Sequence, residues 1–270
     1  MEEDRIIAMR YSFILLALFF LFILSFSYSQ AFNLGIVADI HAGGSRDITR
    51  SEKNILYPNR YCINLEGIKK SDVDYILTLG DNTLNGKESE AKKVLNCLKG
   101  YDVLWTKGNH DKEVAWQLFG TPNYYSRQIE NWKIIVLDSS KIDPSGSGGF
   151  LDEQLEWLEK ELSENDSNDI ENIFIATHHN IFEKTDLFPN TSNAKIIFPQ
   201  FFKPIQLELP DPVYEKFIEI IESNGKVRYV YSGHVHLKNG CLKSGNIEYC
   251  SVPSASVMNY EGYFKELSLE

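Results

Sequence analysis

The sequence predicts an α/β layered domain, and three observations carry that expectation. Apolar runs of strand length recur along the chain and end in polar turns containing Gly or His. Helical patterns lie between several of these runs. The composition, 43% hydrophobic, 24% charged and 13% aromatic over 270 residues, belongs to a globular protein able to bury a core. That balance excludes a disordered chain, a collagen-like repeat and a small disulfide scaffold. Lys and Arg number 27 against 38 Asp and Glu, a formal charge of −11. Such acidity argues against a nucleic-acid partner, and it requires any phosphate-handling site to supply strong local positive charge, as a metal would.

At the amino end no charge occurs from Tyr11 to Ala38, and Phe13 to Phe26 reads FILLALFFLFILSF. This run suits the apolar region of a secretory signal, with Arg5 and Arg10 before it and a small-x-small site at Ser27, Tyr28 and Ser29. An uncleaved anchor is the rival, because residues 11–30 are long enough to span a bilayer. Residues 1–29 are therefore read as signal peptide or signal anchor. Under either reading residues 30–270 form one domain that is secreted or extracytoplasmic, and under the anchor reading residues 11–30 hold it at a membrane.

The expected strands are, in order, FNLGIVADIH, VDYILTLGDN, YDVLWTKGNHD, WKIIVLDSS, NIFIATHHN, VRYVYSGHVH and NIEYCSV. Helical patterns cover Asn59 to Lys70, Glu88 to Leu98, Asp152 to Leu162 and Val213 to Ser223. In the third, Leu155, Leu158 and Leu162 share a stripe opposite an acidic face. Residues 144–149 form a Gly- and Ser-rich loop, and Glu183 to Pro212 a long segment with little periodicity. Asn165 and Asn190 begin N-x-Ser/Thr triplets. A two-residue Gly245-Asn246 turn pairs Ser244 with Ile247, Lys243 with Glu248, Leu242 with Tyr249 and Cys241 with Cys250. The cysteines then form a non-hydrogen-bonded pair suited to a disulfide, the alternative being two unpaired small hydrophobes. Cys62 and Cys97 lie in helix-like stretches, and their pairing stays open.

All six histidines stand at the ends of expected strands. They occur as Asp39-x-His41, Gly108-Asn109-His110-Asp111, His178-His179 and Gly233-His234-x-His236, with Gly80-Asp81 at another strand end. Carboxylate, amide and imidazole together suit divalent transition metals, and strand-end loops are where an α/β fold builds such sites. Singly, Asp39 and Asp81 also read as turn residues, and His178-His179 as one buried and one solvated ring. Asp111 reads either as the group that orients His110 or as the N-cap of a helix over KEVAWQLF.

The ordered set of these motifs resembles the calcineurin-like metallophosphoesterase superfamily, over about Phe32 to Ser256. The stretch from Gly120 to Ser126, then IIVLDSS and LDEQLEWLEKEL, is similar to the branch of purple acid phosphatases and class III cyclic nucleotide phosphodiesterases. The resemblance implies a four-layer αββα sandwich of two mixed β-sheets flanked by helices. It also implies two divalent or trivalent metal ions, Mn, Fe or Zn. Carried over, Asp39, His41 and His236 hold one metal, Asn109, His178 and His234 the other, and Asp81 bridges them. His110 is implied as catalytic, and Asn109 and His110 as substrate-binding. Asn180 stands where relatives often have a proline. The tyrosine ligand of the purple enzymes is absent, since Asn82, Thr83 and Leu84 follow Asp81.

The expected function is hydrolysis of a small phosphate mono- or diester by a hydroxide held between the metals. An extracellular nuclease of the same superfamily is one alternative, and its need for a Lys- and Arg-lined groove conflicts with the charge. A non-catalytic metal-containing binding module is the other, and the full ligand set with His110 argues against it. Oligomeric state is open at this level.

Overall fold

The computed structural model describes residues 31–43, 65–142, 148–163, 169–181, 211–236, 238–256 and 263–270. The amino-terminal segment, Cys62, Asn165, Asn190, most of the 183–212 stretch and residues 144–147 lie outside them. Among the described residues no helix is long and apolar enough to cross a membrane.

Strands β1 (Phe32–Val37), β2 (Tyr75–Thr78), β3 (Asp102–Leu104) and β10 (Lys265–Leu269) form a four-stranded sheet in the order β10-β1-β2-β3. Strands β4 (Tyr125–Ile129), β5 (Trp132–Val136), β6 (Asn172–Ala176), β7 (Val227–Ser232), β8 (Gly240–Ser244) and β9 (Ile247–Ser251) form a six-stranded sheet in the order β4-β5-β6-β7-β9-β8. Both sheets are mixed: β1, β2 and β3 run parallel beside antiparallel β10, and β5, β6, β7 and β9 run parallel between antiparallel β4 and β8.

Each central strand is apolar on both faces because each sheet is covered twice. On β5, Ile134 and Val136 point into a core shared by the two sheets, with Leu34, Ile36, Leu77, Phe174 and Tyr231. The alternate residues Ile135 and Leu137 point the other way, against Leu155, Leu158, Phe217 and Ile221. These come from helices α4 (Asp152–Ser163) and α5 (Asp211–Glu222). A third core lies outside the four-stranded sheet, where Val37 and Ile76 meet Ile68, Ala91, Val94 and Trp116. Those last four belong to α1 (Glu66–Lys70), α2 (Glu88–Cys97) and α3 (Glu113–Trp116). Three cores between four layers are the expected αββα sandwich.

The β8–β9 hairpin has the expected register at every pair, its turn begins at Gly245 (φ +58°), and Cys241 and Cys250 are disulfide-bonded. Cys97 is also disulfide-bonded. Three features differ from expectation. Strands β4 and β10 were not foreseen, for both are edge strands with half-exposed polar residues in place of an apolar run. KEVAWQLF makes only the short α3 and a 3-10 turn over Gln117–Phe119, and its N-cap is Lys112, not Asp111.

Candidate metal centre

Parallel strands of both sheets end at one edge, and the motif residues follow them there. Asp39 and His41 follow β1, Asp81 follows β2, Asn109 and His110 follow β3, His178 follows β6, and His234 and His236 follow β7. Backbone bonds tie these turns together. Asp39 N–H donates to Gly80 O (3.1 Å), His41 N–H to Asp81 O (2.9 Å) and Gly233 N–H to His178 O (3.0 Å). Across the two sheets, His234 N–H donates to Asp39 Oδ2 (3.0 Å).

Such crowding strains the backbone. Among the described residues, five non-glycine residues have positive φ, and four of them are Asp39 (52°), His41 (47°), Asp81 (50°) and His234 (65°). Each costs about 1–3 kcal/mol unless its surroundings over-determine it, which points to a functional site. The glycines serve the same crowding. A Cβ on Gly108 would lie 2.1 Å from Asp81 N, and one on Gly80 would lie 2.5 Å from His178 Nδ1.

The side chains converge as two groups. In the first, His41 Nε2 and His236 Nε2 are 3.0 Å apart, with Asp39 Oδ1 3.4 Å from His236 Nε2. In the second, His178 Nε2 lies 3.0 Å from Asn109 Oδ1 and 3.2 Å from His234 Nδ1. Asp81 faces both, its Oδ2 3.7 Å from His41 Nε2 and its Oδ1 3.4 Å from His178 Nε2. His178 donates from Nδ1 to Leu79 O (2.8 Å), which turns Nε2 toward the cluster.

The donor set fits metal ions. Asp39 Oδ1 is buried without a hydrogen-bond partner, and ligand atoms of Asp39, His41, Asp81 and His236 all lie within 4.8 Å of one another. Burial drives His41 down to about 3 and His234 down to about 4, so both rings are neutral, the form that ligates. Burial also opposes a charge on His178, but Asp81 and Asp39 outweigh it and hold the ring up at about 9. Asp81 itself lies well below the usual carboxylate range, burial being overcome by His178, His110 and His41.

His110 stands apart. Its side chain is 41% exposed, whereas that of His178 is wholly buried. Its N–H donates to Asp81 Oδ1 (2.8 Å), its Nδ1 to Leu84 O, and its Nε2 lies 3.9 Å from Asp81 Oδ2. Asp111 does not orient His110. Its buried carboxylate accepts from Asn82 N, Asn82 Nδ2, Thr83 N, Thr83 Oγ1 and Gly108 N, clamping the turn after Asp81 to the turn before Asn109. His179 stays beside the second group: its ring packs on those of His178 and His234, with ligand atoms of the three within 4.8 Å of one another, while Ser139 Oγ accepts its N–H (3.0 Å) and lies 2.8 Å from its Nδ1. Sequence reasoning missed Ser254 and Ser256, whose hydroxyls donate to Asp39 O at 2.9 and 3.0 Å. Asp39 and Ser254 are 215 positions apart, so no local pattern could have signalled the contact.

A model described as calcineurin-like phosphoesterase matches residues 32–238. A probable glycerophosphodiester phosphodiesterase of Arcobacter nitrofigilis is 32% identical over 140 residues, 47% of this chain and 50% of that one. The matched region therefore spans only half the length of that relative. A probable cyclic nucleotide phosphodiesterase of Synechococcus is 24% identical over 225 residues, 79% of this chain and 74% of that one. Among solved structures, a dimetal phosphatase from Danio rerio has a TM-score of 0.57 at 15% identity, covering 83% of this chain and 88% of its own, a likeness of fold.

Proposed function

Since the chain belongs to the calcineurin-like phosphoesterase family, we propose that it is a metal-dependent hydrolase of phosphate esters with a two-metal centre. Asp39, His41 and His236 would hold one ion, Asn109, His178 and His234 the other, and Asp81 would bridge them. The observation that carries this reading is Asp81, which directs one oxygen to each ligand group. When bound, the metals, Mn, Fe or Zn on this mixed donor set, acidify water and offset the charge of the phosphoryl oxygens. The local positive charge demanded by the acidic chain then comes from the ions.

The protein's own part follows from its hydrogen bonds. Asn109 offers a neutral oxygen and so fills a ligand position without cancelling cationic charge. His110 has its Nδ1 proton committed to Leu84 O, which leaves Nε2 to take up and release a proton. From there it would donate to a phosphoryl oxygen of the substrate or protonate the departing alcohol.

A diester substrate has the better support, since both curated relatives are named as phosphodiesterases. The same proposal makes residues 1–29 a signal peptide or anchor and places the domain outside the cytoplasm. The Cys241–Cys250 disulfide supports it, because disulfides persist in oxidising compartments. The test is elemental analysis of the purified protein beside hydrolysis of a nitrophenyl monoester and its matching diester, with and without added Mn. About two metals per chain with faster diester cleavage is expected. Folded protein that stays metal-free and inert after reconstitution would refute the reading.

A further inference from the structure

Outside the ligand cluster lies a cavity of about 210 Å³, lined by Asn123, Tyr124, Asp138, Lys141, Leu151 and Glu153 among others. Asp138 is 1% exposed and held firmly. Its Oδ1 accepts the Ser140 N–H and hydroxyl, and its backbone N–H and carbonyl both pair with the Gln154 amide. Its Oδ2 is different, for it is buried and accepts no hydrogen bond. Lys141 Nζ, at 3.9 Å, is an ion-pair neighbour beyond hydrogen-bond reach. A buried carboxylate oxygen without a donor is costly, so such a group calls for a partner.

The cavity's position connects it to the metal centre. Asp138 follows β5 as His178 follows the neighbouring parallel β6, with Val136 opposite Ala176. The pairing continues past the strand ends, because His179 N–H donates to Ser139 Oγ. Asp138 therefore stands one strand from His178, at a spacing of about 4.8 Å between paired strands. Another lining residue, Asn123, accepts from Lys107 Nζ (3.1 Å), two residues before Asn109. The cavity thus flanks the Asn109 and His178 side of the cluster.

Its chemistry is specific. Asp138 and Glu153 outnumber Lys141, and the walls are apolar where Leu151 lies and where Tyr124 packs on Trp157. We propose that this cavity binds the alcohol part of a phosphodiester and selects an alcohol bearing a primary ammonium on a short aliphatic stem. The ammonium supplies Asp138 Oδ2 with its missing donor, displacing the more distant Lys141, and the stem meets Leu151 and Tyr124. This assignment rests on the phosphodiesterase reading above and adds the substrate class to it.

The experiment compares 4-nitrophenyl 2-aminoethyl phosphate with 4-nitrophenyl propyl phosphate, using the full chain loaded with Mn²⁺. The two diesters share a chromophore and differ chiefly in ammonium against methyl. The aminoethyl ester is expected to have a kcat/KM about tenfold higher, expressed in KM and weakened by salt. Asp138→Asn, which keeps Oδ1 as an acceptor, and Glu153→Gln, at an exposed helix position, should each bring the ratio toward one. Lys141→Ala should raise it by removing the competing cation, a rise that mere structural damage would not produce. A wild-type ratio near one overturns the proposal, as does an unchanged ratio in both carboxylate variants that retain metal. Hydrolysis of neither diester by metal-loaded protein overturns the phosphoesterase reading, and this one with it.

Discussion

Asp81 and His110 are neighbours with separable tasks. Asp81 reaches both ligand groups, so Asp81→Asn, which removes a charge and an acceptor, is expected to lose metal and activity together. His110 touches Asp81 through its backbone N–H, which alanine retains. His110→Ala should therefore keep its metal and lose about 10²–10⁴-fold in kcat, read by elemental analysis beside turnover on an unactivated ester. A full rate in that variant would remove His110 from the mechanism. Proton release gives a second test. In the metal-free protein His41 and His234 are neutral above about 3 and 4, while His178 keeps its proton to about 9. Metal uptake at pH 7 to 8 must expel the His178 proton, so affinity should rise with pH until about 9. Calorimetry in buffers of differing ionisation enthalpy would count that proton. All eight of the residues assigned a site role from sequence stand at this edge, whereas the work of Asp111, Ser254 and Ser256 was not legible. Those three act on backbone atoms of distant turns, and their own neighbours in the chain say nothing about which turn that is.

At the scale of elements, period and burial explain most of what could be foreseen. Leu155, Leu158 and Leu162 form a stripe at helical spacing, and all three are buried under the six-stranded sheet. Leu158→Ala should cost about 2–5 kcal/mol in urea unfolding through lost transfer energy and a cavity. The same helix is pinned by Glu161, whose Oε1 accepts from Lys133 Nζ on β5 and Ser126 Oγ on β4, both at 2.7 Å. Burial pushes the Glu161 carboxyl up, but these donors outweigh it and hold it below its ordinary 4.5. Its contribution is thus complete above about pH 4.5 and lost as pH falls through the lowered value. Glu161→Gln should destabilise by about 1 kcal/mol at neutral pH and by progressively less in acid, as denaturant titrations at pH 7 and pH 3 would show. Edge strands β4 and β10 escaped notice because one face of each is wet and an edge need not be apolar. In β10 a trace remained, for Lys265, Leu267 and Leu269 alternate with exposed Glu266 and Ser268.

Over the whole molecule, the candidate centre joins the two sheets. Asp39, Asp81 and Asn109 come from one, and His178, His234 and His236 from the other, so bound metal would act as a clasp across the central core. A ligand that binds only the folded state stabilises by about 2.7 kcal/mol at one hundred times its Kd. Stripping metal with a chelator should therefore lower the melting temperature by several degrees, with recovery on adding Mn back, in a thermal melt followed by circular dichroism. An unchanged melt in protein that had carried two metals would separate the centre from the stability of the sandwich.

Local chemistry wrote the layered fold and the inventory of site residues into the chain. Strand period, helix period and turn residues act over a few positions, so they place Asp, Asn and His at strand ends whatever the partner strands do. The arrangement of those residues had to await folding. His41 and His236, 195 positions apart in the chain, meet at 3.0 Å, and a shift of one residue in any strand would send a ligand to the opposite face. The assignment of one Asp81 oxygen to each group, the clamp made by Asp111 and the cavity beside Asp138 all depend on that long-range register. They are decided by how two sheets pack, a property no short stretch of sequence contains.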